Sequence, residues 1–188
     1  MQQTLIILSG LLTIACVAPY IHDIIKRRTK PRIVSWLNWT LLTAIATAAA
    51  ISGEHWSSAV LTGSATVATM AIVLLSLKYG NRKVEALDVV CQAGAIIGLV
   101  LWVMFSSPLI ALVMSAFIDF IVGLPTYKHA WQKPFEETQL TFAIAALAAL
   151  LGLIAVDKLS LPNLLFPVYL LLANLTLVGL IRFSPNRA

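Results

Sequence analysis

Charged side chains are scarce in this chain, and their scarcity excludes a soluble globular domain. Of its 188 residues, 11% are charged and 60% are hydrophobic. A soluble domain of this length needs more polar side chains than these to cover its surface. We therefore expect an integral membrane protein, in the bacterial inner (plasma) membrane, with the lipid bilayer around it.

Motifs for enzymatic or metal chemistry are absent as well. The two cysteines, Cys16 and Cys91, lie in apolar runs without a paired spacing, so we interpret them as packing residues. The sequence contains no HxxxH, HExxH or CxxC pair, no phosphate loop and no serine-histidine set, so we expect no enzyme, metal or cofactor. His22, His55 and His129 fall at helix ends or in loops, where solvation explains them without a role in pH sensing.

What the sequence does contain is seven long apolar runs that are nearly free of charge. Each has at least 18 residues, which at about 1.5 Å per residue crosses roughly 30 Å of hydrocarbon. Because lipid offers the backbone no hydrogen-bond partners, we expect seven transmembrane α-helices and an all-α fold. The runs cover residues 4–21, 33–53, 56–77, 89–106, 108–127, 138–156 and 159–181.

Lysine and arginine residues mark alternate ends of these runs. With the exception of Lys158, every one of them follows the first, third, fifth or seventh run. The positive-inside rule then places the N-terminus outside and the C-terminus in the cytoplasm. Because the basic residues are spread over four short segments, the net charge of +5 is a topology signal, and nucleic acid is not an expected partner.

The fourth run stands between two sets of three runs that resemble each other. We expect two parallel three-helix repeats, 1–83 and 108–188, joined by a linker helix within 84–107 that inverts the chain direction. On the linker, Gly94 and Gly98 form a small-xxx-small seam that would let it pack tightly on one of the two triplets or on another subunit of a homo-oligomer. Shifts of 106 and then 103 residues align Ser9 with Ser115, Thr13 with Asp119, Pro19 with Pro125, Lys30-Pro31 with Lys133-Pro134, Asn38 with Thr141, and Trp39 with Phe142.

Asp119 is the residue that most strongly indicates function, because it lies eleven residues into an apolar run of twenty. A carboxyl group near the middle of a membrane costs on the order of 2.5 to 3.5 kcal/mol to insert. The cost is reduced if the group faces a wet cavity or becomes protonated, and alternation between the two states is what proton coupling uses. The alternative is a neutral acid that joins two helices by a hydrogen bond.

Further candidate residues carry polar or aromatic groups within the runs. Asn163 and Asn174 are three helical turns apart and share a face, although amides also join helices. For a solute site between the repeats we expect hydrogen bonds from Asn163 and Asn38, with Asn174 as a further candidate. Trp36 and Trp39 form an aromatic wall or an interfacial belt, and Pro19 and Pro125 are expected to bend helices and gate the site.

Several of these residues give the chain a resemblance to the SWEET and PQ-loop superfamily of membrane transporters. Pro19-Tyr20 and Pro125-Thr126 stand where that family has proline-glutamine pairs, and KPRIVSWLNW resembles its loop leading into an aromatic-rich second helix. Pro162-Asn163 resembles the pair whose amide contacts sugar in SWEET proteins, and Thr62 is nearest to the position of its partner in the third helix. The resemblance covers nearly the whole chain and implies a 3+1+3 helical transporter.

Together these patterns predict a transporter of a small polar solute, such as a sugar, an amino acid or an amine. Asp119 would couple protons or bind a cationic group, and the two repeats would rock to give alternating access. The retrieval receptors of the secretory pathway share the fold without transporting. A non-transporting receptor or partner subunit is therefore the alternative prediction.

Overall fold

The protein is described here by a computed structural model that covers residues 2–54, 56–80, 84, 86–105, 108–156 and 158–187. Within these ranges the secondary structure is helical. The first predicted run corresponds to two helices, and each of the other six corresponds to one helix whose ends differ from the prediction by a few residues. The helices are α1 (Gln2–Ala15), α2 (Val17–Ile25), α3 (Ile33–Ser52), α4 (Trp56–Tyr79), α5 (Ala86–Phe105), α6 (Pro108–Gln132), α7 (Gln139–Ile154) and α8 (Leu161–Phe183). Short 3₁₀ turns occupy Pro134–Glu136 and Pro185–Arg187.

The first run is divided into two helices by Pro19. A proline has no backbone N–H, and its ring collides with the carbonyl four residues earlier, which here belongs to Ala15. The chain accordingly leaves α1 at Ala15, makes a turn at Cys16 and re-enters a helix at Val17. Pro125, with which the sequence shift aligns Pro19, lies inside α6, which continues through it.

Three of the helical segments are long and apolar enough to cross a membrane, judged by length and composition over the described residues. They are Gln2–Ile25, Ser58–Tyr79 and Leu161–Phe183, and two shorter apolar helices span Ile33–Ala48 and Gln139–Ile154. The outer faces of the bundle agree with this composition, since large apolar side chains such as Leu11, Leu74 and Leu172 are about 60% exposed. Side chains of that kind on an outer surface suit contact with lipid.

The helices pack in two groups of three. α4 lies against both α1 and α3, and α8 lies against both α6 and α7. The two groups meet where α1 contacts α7 and where α3 contacts α6. α5 packs mainly on α6. The surroundings of Gly94 and Gly98 on α5 lie outside the described side chains, so their role in an oligomer stays a prediction.

The ends of α2, α4, α6 and α8 lie together at one end of the bundle. The Lys30 backbone N–H donates to the Glu136 carbonyl at 3.3 Å, and the Ser184 hydroxyl donates to the Trp131 carbonyl at 2.6 Å. Gly80 closely approaches the Pro31 carbonyl. Because the basic segments are here, we name this the basic end. At the opposite end, the Gln2 amide donates to the Ala155 carbonyl at 2.9 Å.

Candidate functional site

A cavity of about 120 Å³ lies between the two groups of helices, and α1, α3, α4, α6, α7 and α8 all contribute to its lining. A water molecule needs on the order of 10 to 15 Å³ of such space. The cavity therefore has room for several waters or for one small solute. Much of its wall is aliphatic and aromatic, with a few polar groups among the lining residues.

Asp119 is the charged member of the described lining residues. The residue is 7% exposed, and the Tyr169 hydroxyl donates a hydrogen bond to Asp119 Oδ2. This bond joins α6 to α8 beside the cavity. Tyr127, one helical turn further along α6 than Gly123, also lines the cavity near the same carboxyl group.

Aromatic rings form one side of the cavity. Trp36 and Trp39 meet edge to face with their ring centroids 5.0 Å apart, and Phe142 and Tyr127 complete the lining. Gly123 allows two of these rings to come close, since a Cβ atom there would lie 3.3 Å from the Tyr127 ring and 3.6 Å from the Trp39 ring. The helix α6 thus supplies the Asp119 carboxyl group and, at Gly123, the space that the Tyr127 and Trp39 rings occupy.

Two buried polar atoms of the lining residues lack a hydrogen-bond partner among the described residues. They are the indole Nε1 of Trp39 and the hydroxyl Oγ1 of Thr141. Leaving a buried donor or acceptor unpaired costs about 1–3 kcal/mol. Both groups therefore have hydrogen-bonding capacity that a molecule in the cavity can use.

At the basic end, Tyr20 closes the cavity. Its ring is fully buried and packs on Trp36 at 5.0 Å and on Phe142 at 6.2 Å between ring centroids. Its hydroxyl then donates to Glu137 Oε2 at 2.9 Å. Tyr20 thus separates the cavity from a group of polar residues that lies beneath it.

These polar residues form a layer between the 26–32 and 133–138 segments. His129 Nε2 lies 3.3 Å from Glu136 Oε2 and 4.0 Å from Glu137 Oε1. His129 is buried, which corrects the expectation that solvation explains it. The remaining contacts are Lys30 with Glu136 at 3.1 Å, Thr138 with Asp23 at 2.9 Å, and Thr138 with Thr29 at 2.8 Å. We call these residues, with Tyr20 and Glu137, the basic-end layer.

The surroundings shift the pKa values of the two glutamates of this layer in opposite directions. Burial raises the pKa of Glu137 to about 8, and the neighbouring Glu136 charge adds to the rise, while the Tyr20 hydrogen bond and the Arg32 charge oppose it. Burial also acts on Glu136, but Lys30 and Lys133 outweigh it and hold the Glu136 pKa below its usual value. Of the two glutamates in the layer, Glu136 is therefore held as an ion and Glu137 titrates near pH 8.

Four of the residues predicted for solute binding line the cavity together: Asp119, Trp36, Trp39 and Asn174. Asn174 uses its side-chain amide within its own helix, where Nδ2 donates to the Leu170 carbonyl at 2.8 Å. Its amide oxygen and its second N–H are left for a solute.

Three other predicted residues lie away from the cavity lining. The Asn38 amide donates to Gln92 Oε1 at 2.6 Å and so joins α3 to α5. Thr62 accepts a hydrogen bond from Thr47 at 3.0 Å between α4 and α3, and Asn163 donates to the Lys158 carbonyl at 3.0 Å at the start of α8. For Asn38 the reason is rotation, because it lies 100° around the helix from Trp39 and 200° from Trp36.

The prolines predicted as gates differ in their surroundings. Pro19 follows the break between α1 and α2, and the cavity-lining residues Thr13, Cys16 and Val17 lie around that break. Pro125 is buried in α6 between Asp119 and the end of the helix. Each proline is therefore close in sequence to a polar cavity residue, and the gating role stays a prediction.

Sequence patterns did not single out the residues that complete the site. Tyr169 is one tyrosine in an apolar run, and Thr141 was marked only as the repeat counterpart of Asn38. Tyr20 and Glu137 are 117 residues apart, so no local pattern pairs them.

Comparisons of the chain with family models, with curated proteins and with solved structures give no match.

Proposed function

We propose that this protein is a membrane transporter of a small polar solute that works by alternating access, with the cavity around Asp119 as its binding site. The observation that carries the proposal is a buried carboxyl group in a cavity shared by two groups of three helices. A membrane binding site at the meeting of two repeats is the arrangement that such transporters use.

The proposal includes two parallel three-helix repeats with α5 as the linker. When α1, α3 and α4 are matched in this order with α6, α7 and α8, the main contacts of the two groups correspond. The contact of α1 with α7 then matches the contact of α6 with α3, and α4 packs on α1 and α3 as α8 packs on α6 and α7. Two residue pairs that the sequence aligns also line the cavity together, Thr13 with Asp119 and Trp39 with Phe142. This agreement supports the 3+1+3 plan and its resemblance to the SWEET and PQ-loop transporters.

The proposed orientation places the basic end in the cytoplasm. Contacts bring together the segments 26–32, 131–138 and 184–187. These contacts support a topology in which each helix crosses the membrane once and α1 and α2 together form one crossing. The positive-inside rule then selects the cytoplasm for this end. The cavity is closed toward that side by Tyr20 and the basic-end layer.

In the proposed cycle, the two helix groups rock and open the cavity first to one side and then to the other. The break between α1 and α2 and the proline inside α6 provide places where each repeat bends. Asp119 binds a proton or a cationic group of the solute, and its hydrogen bond from Tyr169 links that event to the contact between α6 and α8.

Uptake into proteoliposomes tests the proposal. Asp119→Asn retains the shape of the side chain and its capacity to accept from Tyr169, but it removes the ionisable group. We expect accumulation driven by a pH gradient to be lost in this variant and kept in Asn163→Ala, whose side chain lies away from the cavity lining. Accumulation by Asp119→Asn equal to that of the wild type would contradict the coupling role. Solute binding without uptake by the wild type would favour the receptor alternative.

A further inference from the structure

We infer that the cavity binds a small organic ammonium ion that carries an apolar body and one hydrogen-bonding oxygen and has no carboxylate. The inference names the substrate class of the proposed transporter and rests on that function for its transport part. The binding part depends on the cavity alone, so the two can be tested apart.

Charge is the first reason. Asp119 supplies a negative group, and the cavity lining given by the described residues includes no lysine, arginine or histidine. An amino acid would bring its carboxylate into this cavity without a cationic partner, and burying an unpaired charge is strongly unfavourable. An ammonium ion without a carboxylate meets only the group that attracts it.

The aromatic wall is the second reason. Cations are attracted to the faces of tryptophan, tyrosine and phenylalanine rings, and ammonium ligands are recognised by several such rings around one position. Trp36, Trp39, Tyr127 and Phe142 line the cavity with Asp119. Apolar walls of this kind also suit the carbon atoms of the solute, whereas a sugar would leave most of its hydroxyl groups without partners.

The two unpaired polar atoms supply the third reason. Trp39 Nε1 is a donor only, and Thr141 Oγ1 can donate or accept. Both are buried without a partner among the described residues and belong to the cavity lining. One oxygen atom on the solute can accept from the indole and pair with the hydroxyl.

The volume limits the size of the ion. A cavity of about 120 Å³ admits a compact ammonium ion and excludes an oligosaccharide or a peptide. A proton and an ammonium ion compete for the same carboxylate, so ammonium binding should weaken as the pH falls. The titratable groups that face Asp119 in the described part of the chain are Tyr169 from α8 and Tyr127 from its own helix.

The test uses the purified full-length chain and three probes of similar size, with binding measured by calorimetry and by thermal shift. Choline carries a quaternary ammonium group, 3,3-dimethylbutan-1-ol replaces its nitrogen by carbon, and betaine adds a carboxylate. We expect choline to bind at least ~10-fold more tightly than either of the others, since a desolvated cation is attracted to the aromatic rings. Equal binding of choline and the neutral alcohol, or a preference for betaine, would overturn the inference.

Variants assign the selectivity to named groups. Asp119→Asn should lose at least ~10-fold in choline affinity and keep the affinity for the neutral alcohol, and Trp39→Phe should weaken choline several-fold by removing the indole N–H. Asn163→Ala is the matched control and should behave as the wild type. If Asp119→Asn does not fold, Tyr169→Phe removes the hydroxyl that occupies Oδ2 and keeps the charge. Choline should then bind as tightly as before or more tightly, and its loss would contradict an ion pair with Asp119.

Proteoliposomes separate this inference from the proposed function. If choline binds in an Asp119-dependent manner but is not exchanged across the membrane, the result would support the ammonium site and contradict the proposed transport. Asp119-dependent uptake of another solute, without choline binding, would overturn the ammonium inference and leave transport standing. Exchange of labelled choline that is lost in Asp119→Asn supports both.

Discussion

At the scale of single residues, the buried carboxyl groups of Asp119 and Glu137 have different partners, and a third buried carboxyl group, that of Asp88, pairs with Arg32. Asp119 shares the cavity lining with aromatic rings and accepts from Tyr169. Glu137 lies beneath Tyr20 and beside Glu136 and His129. The first can interact with whatever occupies the cavity, whereas the second is separated from the cavity by the Tyr20 ring. We therefore assign Asp119 to the solute and Glu137 to the basic-end layer.

The raised pKa of Glu137 makes a prediction about stability and pH. The folded protein holds a proton on Glu137 up to a pH of about 8, whereas the unfolded chain releases it near 4.5. The free energy of unfolding should therefore fall as the pH rises from about 4.5 to about 8. Glu137→Gln stays neutral and can still accept from Tyr20, so it should not show this fall. Its stability relative to the wild type should rise through this window by an amount on the order of a few kcal/mol.

Thermal unfolding in detergent at a series of pH values measures this difference, because the other titrating groups are common to both proteins. Glu136→Gln provides the matched comparison. Lysines hold the Glu136 pKa below its usual value, so removing its charge should destabilise the protein as the pH rises through the acidic range. A constant difference between Glu137→Gln and the wild type from pH 4.5 to 8 would contradict the burial of Glu137.

At the scale of helices, close packing and one buried ion pair hold the two groups in place. Gly10 on α1 allows α4 to approach, because a Cβ atom there would lie 2.8 Å from Val60 Cγ1 and 3.0 Å from Ser64 Oγ. Arg32, at the start of α3, pairs with Asp88 on α5, and both side chains are buried. The first contact sets the distance between two helices, and the second attaches α5 to α3.

Replacing Gly10 by alanine should destabilise the protein by about 1–3 kcal/mol, the usual cost of placing an extra methyl group in a packed interface. Gly179→Ala on α8 is the matched control, since an added Cβ atom there meets nothing within 4 Å. In the control, the higher helix propensity of alanine should leave stability unchanged or raise it by about 0.5–1 kcal/mol. Equal melting temperatures of the two variants would contradict the close approach of α1 and α4.

Breaking the pair between Arg32 and Asp88 should cost more than replacing it. Asp88→Asn removes the negative charge from this buried pair while the Arg32 charge stays, and we expect a loss of about 3–5 kcal/mol. The double variant Arg32→Met and Asp88→Leu removes both charges, so it should recover most of that loss. Thermal unfolding of the three proteins measures the difference. A single variant as stable as the double variant would show that the pair is not buried.

The helices could be predicted from the sequence more fully than the site could. Apolar run length and charge placement are local properties, and they gave the limits of α3 and α4 to within a few residues. Which side chains face a cavity depends on which helices meet, and that is not a local property of the sequence. Asn38 was therefore expected in the site, whereas its amide joins α3 to α5. Glu137 could not be recognised as buried, because its burial comes from Tyr20 and His129, which lie in other helices.

At the scale of the whole molecule, the account requires that the cavity opens to each side in turn. Tyr20 and the basic-end layer close one side, and the two helix groups meet along α1–α7 and α3–α6, where relative rotation would separate them. A scaffold or receptor with the same helices would not need both openings. Access to the cavity from each side is therefore the property that distinguishes a transporter from the alternatives.

Cys16 makes this access measurable, because it lines the cavity and the chain has only two cysteines. With Cys91 replaced by serine, a membrane-impermeant thiol reagent is applied to right-side-out and to inside-out vesicles, with and without solute. The account predicts that Cys16 reacts from both sides and that a bound solute protects it. Reaction from one side alone under every condition, or from neither side, would contradict alternating access.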